Sequence, residues 1–279
     1  MKKVKSEPDW SHVGLPVQIT RRILRVQGNE AEKTEDQIVT EYPLTLVLND
    51  REFATLVCTP EHLEELVAGF LCSEGAISGF EDIDDLAIDE NTGFAYIKAA
   101  QTRPFYEQFH SKRVISSCCG KSRQSFYFHN DRHTVKKIPE SGLSIRVEEC
   151  FRLMEQMQEA ARTFRLTGGV HNAALCDRKG VLLFRMDIGR HNALDKIYGH
   201  CLMHQIPLHD KIMVFSGRLS SEVLLKTARI GCGIVLSKSA PTQLALDLAE
   251  ELNITTVGFL RHHTFNIYTG LKRIELGHI

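Results

Sequence analysis

No apolar run in this chain reaches the roughly 18 residues that a membrane-spanning helix needs. The opening residues, Met1-Lys2-Lys3-Val4-Lys5-Ser6-Glu7-Pro8, lack the apolar core of a secretory signal. A surplus of either charge is also missing. The 34 Lys and Arg residues offset 35 Asp and Glu, for a net charge of −1. No global basic field therefore draws nucleic acid, and any anion site must be a local cluster. The eight cysteines (Cys58, Cys72, Cys118, Cys119, Cys150, Cys176, Cys201 and Cys232) follow no disulfide-framework spacing. A reducing cytoplasm, where thiols persist, is the expected setting. Neither a P-loop nor a G-x-G-x-x-G motif occurs, so ordinary NTP or NAD binding has no support. His62-Leu63-Glu64 matches the H-x-E of zinc deaminases, but the P-C-x-x-C that completes their site is absent. His62 is therefore expected on the solvent side of a helix. Cys201-x-x-His204 lacks a second ligand pair and reads as a helix face.

What the chain does contain is Ser116-Ser117-Cys118-Cys119-Gly120-Lys121-Ser122-Arg123, with Lys112 and Arg113 just upstream. Nearby cations stabilise a thiolate over a thiol, and the thiolate is the nucleophile. Small residues and Gly120 around the pair predict an exposed loop able to do sulfur chemistry near neutral pH. Two buried cysteines acting as small hydrophobes are the competing picture, which the polar, cationic setting disfavours.

The N-terminal third predicts a small α+β unit. Val17–Gln27 reads as a strand and Gly28–Gln37 as a polar loop. Pro43–Leu48 and Phe53–Cys58 flank a short polar turn and predict a hairpin. Thr59 is placed to cap a helix with Pro60 at its first position. Leu63, Leu66, Val67, Phe70 and Leu71 give that helix its buried face, and Gly75 ends it. Leu86–Asp89 and Phe94–Ala99 predict a second hairpin. Further on, Ser144 is placed to cap a long helix with Val147, Phe151, Met154, Met157, Ala161 and Phe164 as its apolar stripe, stopped at Gly168-Gly169. Ala173–Cys176 and Val181–Phe184 read as another hairpin, followed by a helix through Leu194, Ile197, Tyr198, Cys201 and Leu202.

From Lys211 the rhythm is strand, helix, strand, helix, strand: 211–215, 221–230, 233–237, 243–252 and 255–260. That alternation predicts parallel strands with helical crossovers. Ligands of open α/β sheets bind at the carboxyl edge of such strands. Three polar loops leave that edge: Ser216-Gly217-Arg218-Leu219-Ser220, Lys238-Ser239-Ala240-Pro241-Thr242 and Arg261-His262-His263-Thr264. The first two run into helices, whose free N–H groups and dipoles favour anions. An anionic, phosphorylated ligand is expected there. Two clusters, Thr167–Asn172 and Asp187–Lys196, each set His-Asn beside glycine. Either histidine, His171 or His191, is suited to donate a proton or a hydrogen bond, or to be buried and structural.

Taken in order, these stretches resemble the FdhD family of formate dehydrogenase accessory sulfurtransferases. The likeness runs through Pro43–Leu48 with Thr59-Pro60, Gly69-Phe70 with Ser73-Glu74-Gly75, and Ser117–Lys121. It continues through Gly168–Ala174, Asp187–Lys196, Ser216–Glu222, Ser239–Thr242 and Gly258–Thr269. The resemblance implies an α/β fold, cytidine-deaminase-like, with a mostly parallel sheet and flanking helices over residues 139–279. A smaller α+β part would occupy residues 1–138 and end in the cysteine loop, 111–125. It implies a cytoplasmic homodimer that takes persulfide sulfur from a cysteine desulfurase. The sulfur would pass to the molybdenum bis-guanine-dinucleotide cofactor for formate dehydrogenase, with no resident metal. Phe259, Leu260, Arg261, His262, His263 and Thr264 match the family's cofactor-binding segment, and Arg218 and Lys238 join them from the neighbouring loops. Where much of the family has C-x-x-C, this chain has Cys118-Cys119 with no spacer. Alignment from the left makes Cys118 the carrier; from the right, Cys119 is the second family cysteine. The family's Glu before Asp187 is Met186 here. A cofactor-holding chaperone with incidental cysteines is the alternative from a different functional class.

Overall fold

The computed structural model describes residues 15–100, 114–115, 135–140 and 143–277. β1 (Gln18–Gln27) pairs antiparallel with β2 (Glu30–Val39) about a turn at Gly28, φ 62°. The expected loop over Gly28–Gln37 is thus mostly strand. Both faces of this hairpin are largely exposed, so the apolar alternation that marks a strand is missing. Its charges carry the pattern instead: Arg25 stands opposite Glu32, Arg22 opposite Glu35, and Arg21 opposite Asp36. Opposite charges facing across strands favour the pairing.

β3 (Tyr42–Leu48) and β4 (Arg51–Cys58) form the expected hairpin, with Asn49 and Asp50 both at positive φ. Such a two-residue turn matches strand twist. α1 (Leu63–Ser73) follows, and its predicted apolar stripe packs on Leu44, Leu46, Leu56 and Ile97. Thr59 does not cap it. The helix begins four residues later behind His62, whose φ of 55° turns the chain, because Thr59 is held elsewhere. His62 is exposed as expected, but at the helix entrance rather than on its side. β5 (Ile83–Asp89), β6 (Phe94–Ala99) and β7 (Val114–Ile115) complete a sheet ordered β5-β6-β3-β4-β7, with β7 parallel to β4.

β8 (Ile145–Arg146) precedes α2 (Val147–Ala160). Ser144 is not the cap of that helix; its hydroxyl donates to the Glu275 carboxylate. Glu149 reaches back to the Arg146 N–H at 2.8 Å instead. The expected long helix breaks at Ala161, resumes as α3 (Arg162–Thr167) and ends at Gly168, φ 67°. Then come β9 (His171–Cys176), β10 (Val181–Asp187), α4 (Arg190–Met203), β11 (Ile212–Phe215), α5 (Ser221–Ile230), β12 (Ile234–Ser237), α6 (Gln243–Glu251), β13 (Thr255–Arg261), β14 (Thr264–Thr269) and β15 (Ile274–Glu275).

The second sheet runs β10-β9-β11-β12-β13-β14. Only β11, β12 and β13 are mutually parallel; β9, β10 and β14 run antiparallel to their neighbours. The sheet is therefore mixed rather than mostly parallel, because the β9–β10 hairpin flanks the parallel trio on one side and the antiparallel β14 on the other. α4, α5 and α6 cover one face over Leu175, Met213, Phe215 and Val235. α2 covers the other over Val214, Leu236 and Leu260. Cys201 is buried in the first of these cores. No helix among the described residues is long and apolar enough to cross a membrane.

The two sheets meet where α1 crosses α4. A Cβ on Gly69 would lie 1.9 Å from the Asp195 carbonyl oxygen, and one on Gly199 would lie 1.8 Å from that of Glu65. Only glycine lets the two backbones touch in this way. Buried charges flank the crossing. Asp195 accepts from Lys226 at 2.6 Å and from Ser73 at 2.7 Å, joining α4 to α5 and α1. Glu65 of α1 takes both Arg185, at 2.5 and 2.6 Å, and His200, at 2.8 Å.

Candidate functional site

β11 and β12 end level at Phe215 and Ser237 while β13 runs on past them to Arg261, and their antiparallel neighbours contribute opposite ends to the same edge. The register sets Ala173 beside Phe215 and Asp187 beside His171. The start of β9 and the end of β10 therefore lie alongside the loops of the parallel strands. Both His-Asn clusters join the edge predicted from the three loops. The sequence marked them as unusual, but their place depends on two strand reversals that no local pattern encodes.

The loops are laced together by hydrogen bonds. Ser216 N–H donates to Asn172 O at 2.9 Å and Asn172 N–H to Ser216 Oγ at 2.8 Å. Ser239 Oγ donates to Ser216 O at 2.9 Å. Leu219 N–H reaches Ala240 O at 3.1 Å, Thr242 N–H reaches Leu219 O at 3.0 Å, and Phe259 N–H reaches Ser239 O at 3.2 Å. Three helices start here: α4 at Arg190, α5 behind Ser220 and α6 behind Thr242. Their unpaired N–H groups and dipoles make the edge favourable to anions.

Side-chain charge adds to this. Arg218 and Arg261 are exposed. The Arg261 guanidinium lies 5.6 Å from the Phe259 ring centre, a cation–π distance. Lys238 is half-buried and donates to Gln158 Oε1 at 3.1 Å, so its ammonium leans toward α2. His262, His263 and Thr264 are exposed, and the His263 ring sits 5.6 Å from that of Phe151. Leu260 differs from its neighbours: it is fully buried in the core beneath α2, so only its backbone can face a ligand. A bulge between Gly258 and Arg261 accompanies the switch, with Phe259 at φ 54°. The imidazole of His171 is held below the ordinary histidine value by burial first and by the Arg190 charge second, against the pull of Asp187. It is neutral near pH 7. His191 pairs with Glu222 at 3.2 Å across the starts of α4 and α5. Met186 packs with Val170 and Ile188.

Cys118 and Cys119 lie outside the described residues; the strand Val114–Ile115, paired with Thr55–Leu56, ends three positions before Cys118. The other six cysteines are buried thiols. Burial pushes Cys58, Cys150, Cys176 and Cys201 up to about 12, and Cys232 further still. None of these five is a thiolate near neutral pH. Among the described residues, no group of three His, Cys, Asp or Glu side chains is set to hold a metal ion.

Comparison with known proteins places this geometry in context. The model of the FdhD/NarQ family matches residues 39–275. A protein named sulfur carrier protein FdhD in Halalkalibacterium halodurans is 58% identical over 260 residues, 93% of this chain and 96% of its own length. Its namesake in Bacillus subtilis (strain 168) is 55% identical over 259 residues, 93% of this chain and 98% of its own. A Desulfotalea psychrophila crystal structure described as a formate dehydrogenase accessory protein shares the fold. Its TM-score is 0.76 at 23% identity, covering 93% of this chain and all of that one.

Proposed function

The chain belongs to the FdhD/NarQ family, and from that premise we propose that it is a sulfur carrier in the maturation of formate dehydrogenase. The Cys118 thiolate takes the terminal sulfur from a persulfide on a cysteine desulfurase, whose own cysteine leaves as a thiolate. Cys118 then holds the sulfur as a persulfide, with Cys119 beside it. The acceptor is the molybdenum bis-guanine-dinucleotide cofactor, bound as substrate by its nucleotide ends.

The observation that carries this reading is the state of the other thiols. Six of the eight cysteines are buried among the described residues, and a thiol that another protein cannot reach cannot accept sulfur from it. That leaves the cation-flanked pair Cys118 and Cys119. The anion edge supports the second half of the reading. Arg218, Lys238, Arg261, His262, His263 and Thr264, with three helix starts, suit phosphates, and the Phe259 ring suits a base or sugar face. Leu260 contributes through its backbone. A cytidine-deaminase-like fold for the larger sheet, a homodimer and a cytoplasmic setting complete the reading.

Incubation with a cysteine desulfurase and free cysteine, followed by intact mass measurement, tests it. The expected result is a gain of one or more sulfur atoms, removable by reductant and lost in Cys118→Ala. No gain with an active desulfurase would replace the carrier with a cofactor-holding chaperone.

A further inference from the structure

The Asp187–Lys196 cluster contains a buried ion pair that the sulfur-carrier reading does not use. Lys196 Nζ lies 2.7 Å from Asp187 Oδ2, and both side chains are fully buried. Every group in the pair is satisfied. Lys196 also donates to Thr59 Oγ1 at 2.7 Å and to the Met186 carbonyl at 3.3 Å. Asp187 Oδ2 accepts from the Thr59 N–H at 3.0 Å and its hydroxyl at 3.1 Å. Asp187 Oδ1 accepts from Gly189 N–H at 2.8 Å and from the Asn192 amide at 2.9 Å. The same amide nitrogen donates to Val57 O at 3.0 Å. A Cβ on Gly189 would come within 2.7 Å of it.

A dry ion pair is weak as a source of stability, since well-packed apolar residues often replace one without loss. What it does supply is fixed geometry. One carboxylate here joins the end of β4 to the first turn of α4. Arg190 and His191 sit between the anchors Gly189 and Asn192, where α4 begins at the anion edge, with His191 3.2 Å from Glu222 of α5. β4 is in turn the strand beside which Val114–Ile115 pairs, just ahead of the cysteines.

We propose that Lys196, acting with Asp187 and Thr59, is a positioning residue: it sets the first turn of α4 at the anion edge and registers that turn to β4. The proposal rests on the reading of that edge as a nucleotide site. Lys196→Met removes the cation. Thr59→Val, a milder change, removes only the hydroxyl shared by both charges and keeps the test open where the first variant fails to fold. Amide hydrogen exchange and calorimetric binding of GDP are measured on the full chain, with thermal midpoints alongside.

The expected result is exchange at Gly189–Ala193 faster by about tenfold or more, with β11–β13 unchanged. GDP should bind about 10–100-fold more weakly in Lys196→Met, the scale seen when supporting partners behind a site are lost, and less weakly in Thr59→Val. A lowered thermal midpoint with unchanged local exchange and unchanged GDP affinity would make the pair ordinary scaffolding and overturn the proposal. Failure of the unmodified protein to bind GDP would strike the nucleotide reading itself; local exchange alone would then decide whether Lys196 sets the turn.

Discussion

Phe259 holds a left-handed backbone that a bulky side chain adopts only at a cost of about 1–3 kcal/mol. The twist sends Leu260 into the core and leaves Arg261 outside, over the Phe259 ring. Arg261→Ala should therefore weaken guanine-nucleotide binding. A charged hydrogen bond contributes roughly 1.5–3 kcal/mol, on the order of ten- to a hundredfold in affinity. Unchanged calorimetric affinity would remove Arg261 from the site. For the cysteines, Cys118→Ala should abolish formate dehydrogenase maturation in cells, whereas Cys119→Ala should retain part of it. A dead Cys119 variant beside an active Cys118 variant would reverse their roles. At this scale the sequence showed charge well, since Arg218 and Arg261 stand out by composition and are exposed. It did not expose Leu260, because a bulge changes which side of the strand a residue faces.

Among the elements, α2 shows how a helix start is set by a carboxylate. Burial alone would raise the Glu149 carboxyl, but the Arg146 N–H and the Arg178 and Arg146 side chains outweigh it and hold it at about 2. A depressed carboxylate stabilises the fold above its ordinary value of 4.5. That contribution is lost as pH falls through the interval down to about 2. Urea midpoints measured at about pH 5 and about pH 3 should drop in the unmodified chain, and Glu149→Gln should lower the first midpoint and flatten the difference. The apolar stripe of α2 was plain in the sequence; its start was not. Ser144 has the right chemistry for a cap, yet pairing of Ile145–Arg146 with Ile274–Glu275 carries the chain past it. The β1–β2 hairpin was hidden for the opposite reason: with neither face buried, its strand character rests on cross-strand charges.

The molecule as a whole depends on the α1–α4 crossing. Gly69→Ala and Gly199→Ala each place a methyl where a backbone carbonyl already sits. Each should force the helices apart and destabilise the chain by about 1–3 kcal/mol or more, read as a lower denaturant midpoint. An unchanged midpoint would show that the two sheets do not depend on this contact. The strands and helices on either side were largely legible, because periodicity is local. The seam was not: Thr59 and Lys196 are 137 residues apart, and a glycine that makes room looks the same in sequence as one that merely turns.

That seam also orders events in time. α1 leaves the ribosome with the side that bears Gly69 open, and the helix that closes it has yet to be made. At ~5–20 residues per second, the 137 residues between Thr59 and Lys196 take on the order of ten seconds to synthesise. Throughout that interval Glu65 lacks the Arg185 guanidinium, Ser73 the Asp195 carboxylate and Thr59 the Lys196 ammonium that hold them in the finished protein. The nascent N-terminal part is then a waiting surface, suited to a holding chaperone and exposed to proteases, until α4 emerges and docks.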